Sequence, residues 1–480
     1  MPESVTTAVI EHDSLFIGGA WSHRAGERLS VINPSTEEYL GGVPAGTVAD
    51  VDLAVTAARQ VLGSWAALGN SVRAGYLDRL ADALEARGSQ MAQTVSRQNG
   101  MPIAVSNGLE AGFPPLLLRF YAGLVRDQPR VSRRSGLLGG QIDVVRKPMG
   151  VVGVIVPWNF PQTLAMMKIA PALAAGNTVV VKPSPETVLD TILLADAVIE
   201  AGLPAGVINI VPGGPEIGRY LVSHPGIARI AFTGSTEAGR AIAQECGRLL
   251  RPVSLELGGK SATIVLDDGN ISASIEELFK ATLLNNGQTC FLGTRVLAPR
   301  ARYGEIVDTL ADLARAATIG DALEETTMVG PMVSPRQRER VENYIESGKA
   351  DGSRLVAGGT RPQRAGWFVA PTVFADVTNA QRIACEEIFG PVLAVIGYDS
   401  DEEALHIAND SAFGLGGSVW SADPDRARAF AQRIETGTIG INGYNLDPAA
   451  PFGGVKDSGI GREWGPEALE SYVELQSIYL

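Results

Sequence analysis

From residue 150 onward the chain changes rhythm: short apolar runs begin to alternate with amphipathic stretches. The runs at 151–156, 178–181, 207–211, 229–233 and 252–257 have the length of buried strands. The stretches between them, 163–175, 187–201, 215–223 and 236–250, repeat their apolar positions at helical spacing. Five strands joined by helical crossovers predict a parallel, doubly wound sheet, so the fold class is α/β. A second α/β segment runs from 261 to 451, with strands predicted at 263–266, 392–398, 417–420 and 438–441. Before both, the first 130 residues read as helical after a short β start. Asp50 is a candidate cap for a helix carrying Val51, Ala54, Val55, Ala58 and Leu62, and Tyr76, Leu77, Leu80, Ala83 and Leu84 repeat the pattern as a second core face. Two strand-like runs stand apart, 141–146 and 472–480, and edge strands of this kind suit pairing with another element or another subunit.

Ligands of doubly wound sheets bind at the carboxyl ends of the strands. Four polar clusters fall there: Pro157-Trp158-Asn159-Phe160-Pro161, Lys182-Pro183-Ser184, Thr233-Gly234-Ser235 and Glu256-Leu257-Gly258-Gly259-Lys260. No G-x-G-x-x-G occurs. The looser spacing from Gly234 to Gly239 opens a helix whose amides could face a pyrophosphate, although glycine is common at such turns in any case. Glu256 reads either as a strand-end carboxylate on a solvent face or as a general base with a raised pKa. Asn159, wedged between aromatic residues and prolines, reads either as a turn former or as a fixed amide donor for an oxyanion.

Composition narrows the class. A chain of 480 residues implies two or three domains, and 45% hydrophobic residues with 55 glycines fit a loop-rich α/β enzyme. The net charge of -13 argues against nucleic acid and against an anionic membrane surface as partners. Residues 1–16 lack a basic region followed by an apolar core, and three cysteines suit a reducing compartment, so a cytoplasmic location is expected. The four histidines lack metal-ligand spacing, so no metal is expected. Cys246 and Cys385 read as structural. Cys290, which ends the polar turn Asn285-Asn286-Gly287-Gln288-Thr289-Cys290, is either a loop thiol without a role or a nucleophile partly exposed beside donors that favour the thiolate.

Taken together, Pro157 to Pro161, Lys182, Phe232-Thr233-Gly234-Ser235, Leu255 to Lys260, Gly287-Gln288-Thr289-Cys290, Glu386-Glu387-Ile388-Phe389-Gly390-Pro391 and Pro451-Phe452-Gly453-Gly454 resemble the aldehyde dehydrogenase superfamily. The motifs run in the family's order over nearly the whole chain. The resemblance implies a Rossmann-like cofactor domain (1–128 and 148–258), an α/β catalytic domain (259–457) and a small β oligomerisation element (129–147 and 458–480). It makes Cys290 the nucleophile, Glu256 the general base, Asn159 with the Cys290 backbone amide the oxyanion hole, and Lys168 an active-site lysine. Lys182 and Glu387 would hold ribose hydroxyls, Phe389 would pack near the nicotinamide, and Ser235 would meet the pyrophosphate. Pro157, Trp158, Ser184, Gly234 and Leu257 would complete the cofactor contacts.

The chemistry implied is attack of the Cys290 thiolate on an aldehyde, loss of hydride to NAD to leave a thioester, and hydrolysis by water activated at Glu256. Many relatives carry an acidic residue three positions after the lysine; here Pro185 stands there and Glu186 follows, so NAD is expected as the main cofactor with NADP use left open. Phe113, Phe160, Phe291 and Phe452 fall at or near the family's aldehyde tunnel. With no arginine among them to grip a second carboxylate, an apolar aliphatic or aromatic aldehyde is expected. Two other chemistries stay in play: transfer of the thioester to coenzyme A, from relatives that tend to lack the base, and a cysteine hydrolase without redox chemistry, which would want a histidine. A homodimer or homotetramer assembled through 129–147 and 470–480 is expected.

Overall fold

An eight-stranded sheet carries the first group of predicted strands in a computed structural model that describes residues 9–480. Residues 1–8, which the domain and targeting expectations include, lie outside the described residues. The strand order is Gly459–Ile460, Val253–Glu256, Arg229–Thr233, Val151–Ile155, Thr178–Lys182, Ile208–Ile210, Ser14–Ile17, Ala20–His23. The five central strands are mutually parallel and in a register that sets Ile155 beside Lys182 and Thr233 beside Glu256. Strands covered on both faces read as unbroken apolar runs rather than as alternation, which is why this group stands out in the sequence. Antiparallel strands close both edges.

A second sheet of seven strands holds the later group, in the order Arg354–Ala357, Thr372–Ala375, Val392–Tyr398, Arg295–Pro299, Ala262–Val265, Gly417–Trp420, Gly440–Ile441. Three of these strands were not expected, and one of them, Arg295–Pro299, lies at the centre. It begins with a buried arginine whose guanidinium donates to the carbonyls of Lys260 (2.9 Å), Ile407 (3.0 Å) and Ala408 (3.0 Å) and to Asn379 Oδ1 (2.9 Å). A charge at the head of a five-residue strand conceals it from any apolar pattern.

The small third sheet pairs Val473–Tyr479 with Gln141–Pro148, and that strand in turn with Val131–Ser135. Leu137 and Leu138 at the hairpin tip are fully exposed, and Leu475, Ile478 and Tyr479 are exposed along the last strand. Within 458–480 only Val473–Tyr479 joins this sheet. Gly459–Ile460 instead extends the first sheet, because its antiparallel pairing covers the open side of Val253–Glu256.

Asp50 does not cap its helix. The cap of Val48–Ala67 is Thr47, whose hydroxyl accepts from Asp50 N (3.3 Å), while Asp50 Oδ2 accepts from Thr47 N (3.0 Å). Asp50 is the reciprocal half of a capping box and also takes a bond from Arg24 Nε (2.6 Å). Thr47→Ala should therefore cost about 1 kcal/mol, and Asp50→Ala more, because it also removes the buried end of the ion pair with Arg24. Scanning calorimetry of the two variants should give melting points in that order, both below wild type.

Candidate active site

The turn that carries Cys290 is strained. Asn285, Asn286 and Gly287 follow one another in the left-handed region, at φ 51°, 62° and 74°. Asn286 holds the turn by donating from Nδ2 to the carbonyls of Gly100 (2.8 Å) and Pro331 (3.0 Å) and accepting at Oδ1 from Gly330 N (2.6 Å). Gln288 Oε1 accepts from Val333 N (3.0 Å). Asparagine tolerates this conformation better than other side chains, and Gly287 is further required because a Cβ there would enter the backbone of Gly390 and Pro391.

This turn presents Cys290 to the end of the strand Val253–Glu256. The thiol donates to Glu256 Oε2 at 3.7 Å, and Glu256 Oε1 has no partner. Glu256 is buried, and its pKa is pushed well above the ordinary value by burial and then by Glu463, with Lys168 pulling it back. The Cys290 thiol is likewise pushed well up, by burial, then by Glu256 and Glu387. The expectation of donors that favour the thiolate is corrected here: the thiol faces carboxyls and keeps its proton in this state.

Asn159 Nδ2 donates to the Gln288 carbonyl (3.1 Å), which ties it to the cysteine turn, and its own carbonyl accepts from Asn285 Nδ2 (3.0 Å) and Asn99 Nδ2 (3.3 Å). Lys168 is fully buried on the helix Pro161–Ala174; its ammonium donates to Thr233 Oγ1 (2.7 Å) and pairs with Glu463 (2.8 Å). Glu463, which completes this charge cluster behind Glu256, was not singled out from the sequence, and Thr233 stood there only as part of the Thr233-Gly234-Ser235 cluster, without a bond to Lys168. Glu463 lies 295 residues from its lysine in a stretch without periodicity, so nothing local marks it.

A groove of about 810 Å³ lies at the carboxyl ends of the central strands, lined by Pro157, Trp158, Lys182, Ser184 and Gly234 among the expected cofactor residues, and by Pro185 and Glu186. Lys182 Nζ donates only to the carbonyls of Pro183 (2.7 Å) and Gly213 (2.9 Å), and burial lowers its pKa to about 8. Glu186 accepts from Ser184 Oγ (2.6 Å). Ser235, Leu257, Glu387 and Phe389 stand outside the groove lining. Ser235 caps the helix Thr236–Arg248 by accepting from Ala238 N (3.3 Å), and Leu257 is buried against Gly239. Glu387 Oε1 accepts from Gly259 N (3.0 Å), and Phe389 sits edge-on to Trp158 with ring centroids 5.3 Å apart.

Three of the four expected substrate-pocket phenylalanines meet in an aromatic chain that two further rings complete. Phe113 packs on Trp464 (5.3 Å), Trp464 on Phe452 (5.1 Å), Phe452 edge-on to Phe291 (6.3 Å), and Phe291 stacks on Tyr444 (4.7 Å). Phe160 lies in the same apolar cluster, against which Phe113, Cys290 and Phe291 pack. Tyr444 and Trp464 were missed. Trp464 carries one signal visible only in the structure, a bulky residue held at φ 59°.

Residues 21–478 match the model of the aldehyde dehydrogenase family, and the chain belongs to that family. Geranial dehydrogenase of Castellaniella defragrans is 55% identical over 474 residues, covering 98% of this chain and 99% of that protein. Phenylacetaldehyde dehydrogenase of Pseudomonas fluorescens is 41% identical over 97% of this chain and 95% of its own length. A Mycobacterium tuberculosis aldehyde dehydrogenase solved with NAD+ superposes with a TM-score of 0.96 at 44% identity, covering 98% and 99% of the two chains. The chain is an aldehyde dehydrogenase, and oxidation of an aldehyde is its reaction.

Because thiol and carboxyl touch, the second of their two protons leaves against a charge already present. Glu256→Gln removes that charge, and the pH profile of Cys290 alkylation by iodoacetamide should move to lower pH. Stopped-flow alkylation across pH 6–11 measures it; an unmoved or upward profile would contradict the coupling.

Proposed function

We propose that this enzyme oxidises an apolar aliphatic or aromatic aldehyde to the carboxylic acid, with NAD as its main cofactor. The observation that carries the proposal is the contact between the Cys290 thiol and Glu256 Oε2 at 3.7 Å, made where an apolar aromatic cluster meets the end of the cofactor-type sheet. Cys290 attacks the carbonyl carbon as its proton passes to Glu256, and the oxygen that becomes negative is met by the second Nδ2 hydrogen of Asn159 and by the Cys290 amide. Loss of hydride from the thiohemiacetal so formed leaves a thioester; Glu256, once it has passed the thiol's proton to solvent, accepts a proton from the water that hydrolyses it, a task suited to a carboxylate whose pKa lies nearer to working pH than usual. Lys168, paired with Glu463, tempers the charge that Glu256 carries at that point.

The groove suits a dinucleotide. It is concave, it opens beside the first turns of two helices, Pro215–Ser223 and Thr236–Arg248, and the Lys182 ammonium above it donates to only two carbonyls and keeps a third hydrogen to offer. Lys182 and Glu387 would hold its ribose hydroxyls and Trp158 and Phe389 its nicotinamide end; when bound, NAD accepts the hydride that the aldehyde loses. Glu186, placed in the groove by its bond to Ser184, would favour a ribose 2′-hydroxyl over a 2′-phosphate.

The names of the relatives at 55% and 41% identity, acting on geranial and phenylacetaldehyde, support an apolar substrate. Three of the five sheets support a division into a cofactor unit, a catalytic unit and a β arm, with Gly459–Ile460 joining the first of these units, and we assign the exposed leucines of the arm to a contact with a second copy of the chain. Three cysteines without a disulfide agree with a reducing cytoplasm.

Three experiments test this reading. In a panel of aldehydes with NAD and NADP, kcat/KM should be at least about tenfold higher for apolar aldehydes than for semialdehyde acids, and higher with NAD; the reverse order for either would overturn the corresponding assignment. Cys290→Ala should abolish activity, whereas Glu256→Gln should give a burst of reduced cofactor and then stall; acyl-CoA formed on adding coenzyme A would instead favour thioester transfer. Deleting residues 473–480 should convert the oligomer to a smaller species in light scattering, and a monomeric wild type would overturn the role of the arm.

A further inference from the structure

Ahead of the helix Phe113–Arg126 lies a single turn of π-helix, Asn107–Gly112, and Glu110 is the one residue of that turn to be buried. Such turns widen the backbone locally and re-aim a side chain. Glu110 Oε2 accepts from Gln162 N (2.8 Å), an amide in the first turn of Pro161–Ala174. That helix has no side-chain cap of its own, so a carboxyl from a distant element occupies the place of one. Thr163 Oγ1 donates to the Leu109 carbonyl from the neighbouring position.

The bonds continue around the turn. Gln162 Nε2 donates to Asp190 Oδ2, and Asp190 Oδ1 accepts from Gln98 Nε2 (2.6 Å). Gln98 Oε1 accepts from Leu189 N (3.1 Å), and the next residue, Asn99, donates to the carbonyls of Trp158 (3.1 Å) and Asn159 (3.3 Å). Residues 158–163 are thus gripped on one side through Asn99 and on the other through Glu110. Both carboxyls are held up, Glu110 to about 8 by burial and by Asp190, and Asp190 to about 6 by burial despite its two glutamine donors.

We propose that Glu110 is a positioning residue for acylation: by capping the helix that starts at Pro161 it fixes the turn from which Asn159 presents its amide. The proposal rests on the assignment of Asn159 as oxyanion donor made above. A carboxyl serving only to fill space would not need its oxygen on the Gln162 amide, and its loss would not depend on Asn159.

A double-mutant cycle on the single-turnover rate of hydride transfer, with NAD and an apolar aldehyde, tests this. Glu110→Ala should lower the rate by about ten- to a hundredfold, a share of the loss expected from misplacing one oxyanion donor, with KM changing less than about threefold. Glu110→Gln, which keeps an acceptor oxygen for the Gln162 amide, should stay within about threefold of wild type. In an Asn159→Ala background the Glu110→Ala penalty should shrink to under about twofold. Equal penalties in both backgrounds, where Asn159→Ala itself is impaired, would overturn the positioning role alone; an Asn159→Ala enzyme with an unimpaired rate would overturn the oxyanion assignment and the proposal with it. A Gln variant as slow as the Ala variant would also overturn it. Should Glu110→Ala fail to fold, Glu110→Asp, one methylene too short to reach Gln162, replaces it in the same cycle with the same expectations.

Discussion

The site depends on two stretches of backbone, from different sheets, meeting where neither has a side chain. A Cβ on Gly259 would strike the Cys290 carbonyl, one on Gly287 would enter Gly390, and one on Gly258 would stand 2.7 Å from Glu387 Oε2. Without them the cysteine turn, the end of the Glu256 strand and the Glu387 segment share one seam. Two contacts of the site follow from that approach, the bond of Asn159 to the Gln288 carbonyl and that of Glu387 to the Gly259 amide.

Closing the seam buries carboxyls and so raises the electrostatic stakes. Burying a carboxylate is expensive unless a cation or donors compensate, and behind Cys290 two carboxyls, Glu256 and Glu463, stand against one ammonium, Lys168. One of the two is left short of positive charge. It is Glu256, because Lys168 pairs with Glu463, and the shortfall adds to burial in raising the Glu256 pKa. Burial acts in the opposite sense on Lys182, whose ammonium rests on two carbonyls beside the groove at the carboxyl ends of the central strands.

The central sheet was legible because parallel strands buried on both faces write continuous apolar runs; Arg229–Thr233, Val392–Tyr398 and Gly417–Trp420 occur at the bounds expected, as does the helix Pro215–Ser223. Cys290, Glu256 and Asn159 could be proposed because each sits in a motif and at a strand end or turn. What escaped was whatever depended on contacts distant along the chain. Arg295 hides its strand because its charge is satisfied by carbonyls over a hundred residues away. Glu463 and Trp464 are brought to the site by a C-terminal segment that pairs with the edge of the first sheet, Tyr444 by the turn after the last strand of the second, and no local pattern announces either path. The helix cap was misplaced by three residues because Thr47 and Asp50 serve the same end reciprocally, and sequence alone shows only two eligible residues.

The proton held between Cys290 and Glu256 bears on durability as well as on turnover. Peroxide oxidises thiolates far faster than thiols, and the resulting sulfinic and sulfonic acids are not recovered. A sulfur that faces carboxyls, in a seam that raises its pKa, spends its idle time in the form least open to that damage. The arrangement that keeps the Cys290 thiol slow to ionise is therefore also what shelters it in an oxidising spell.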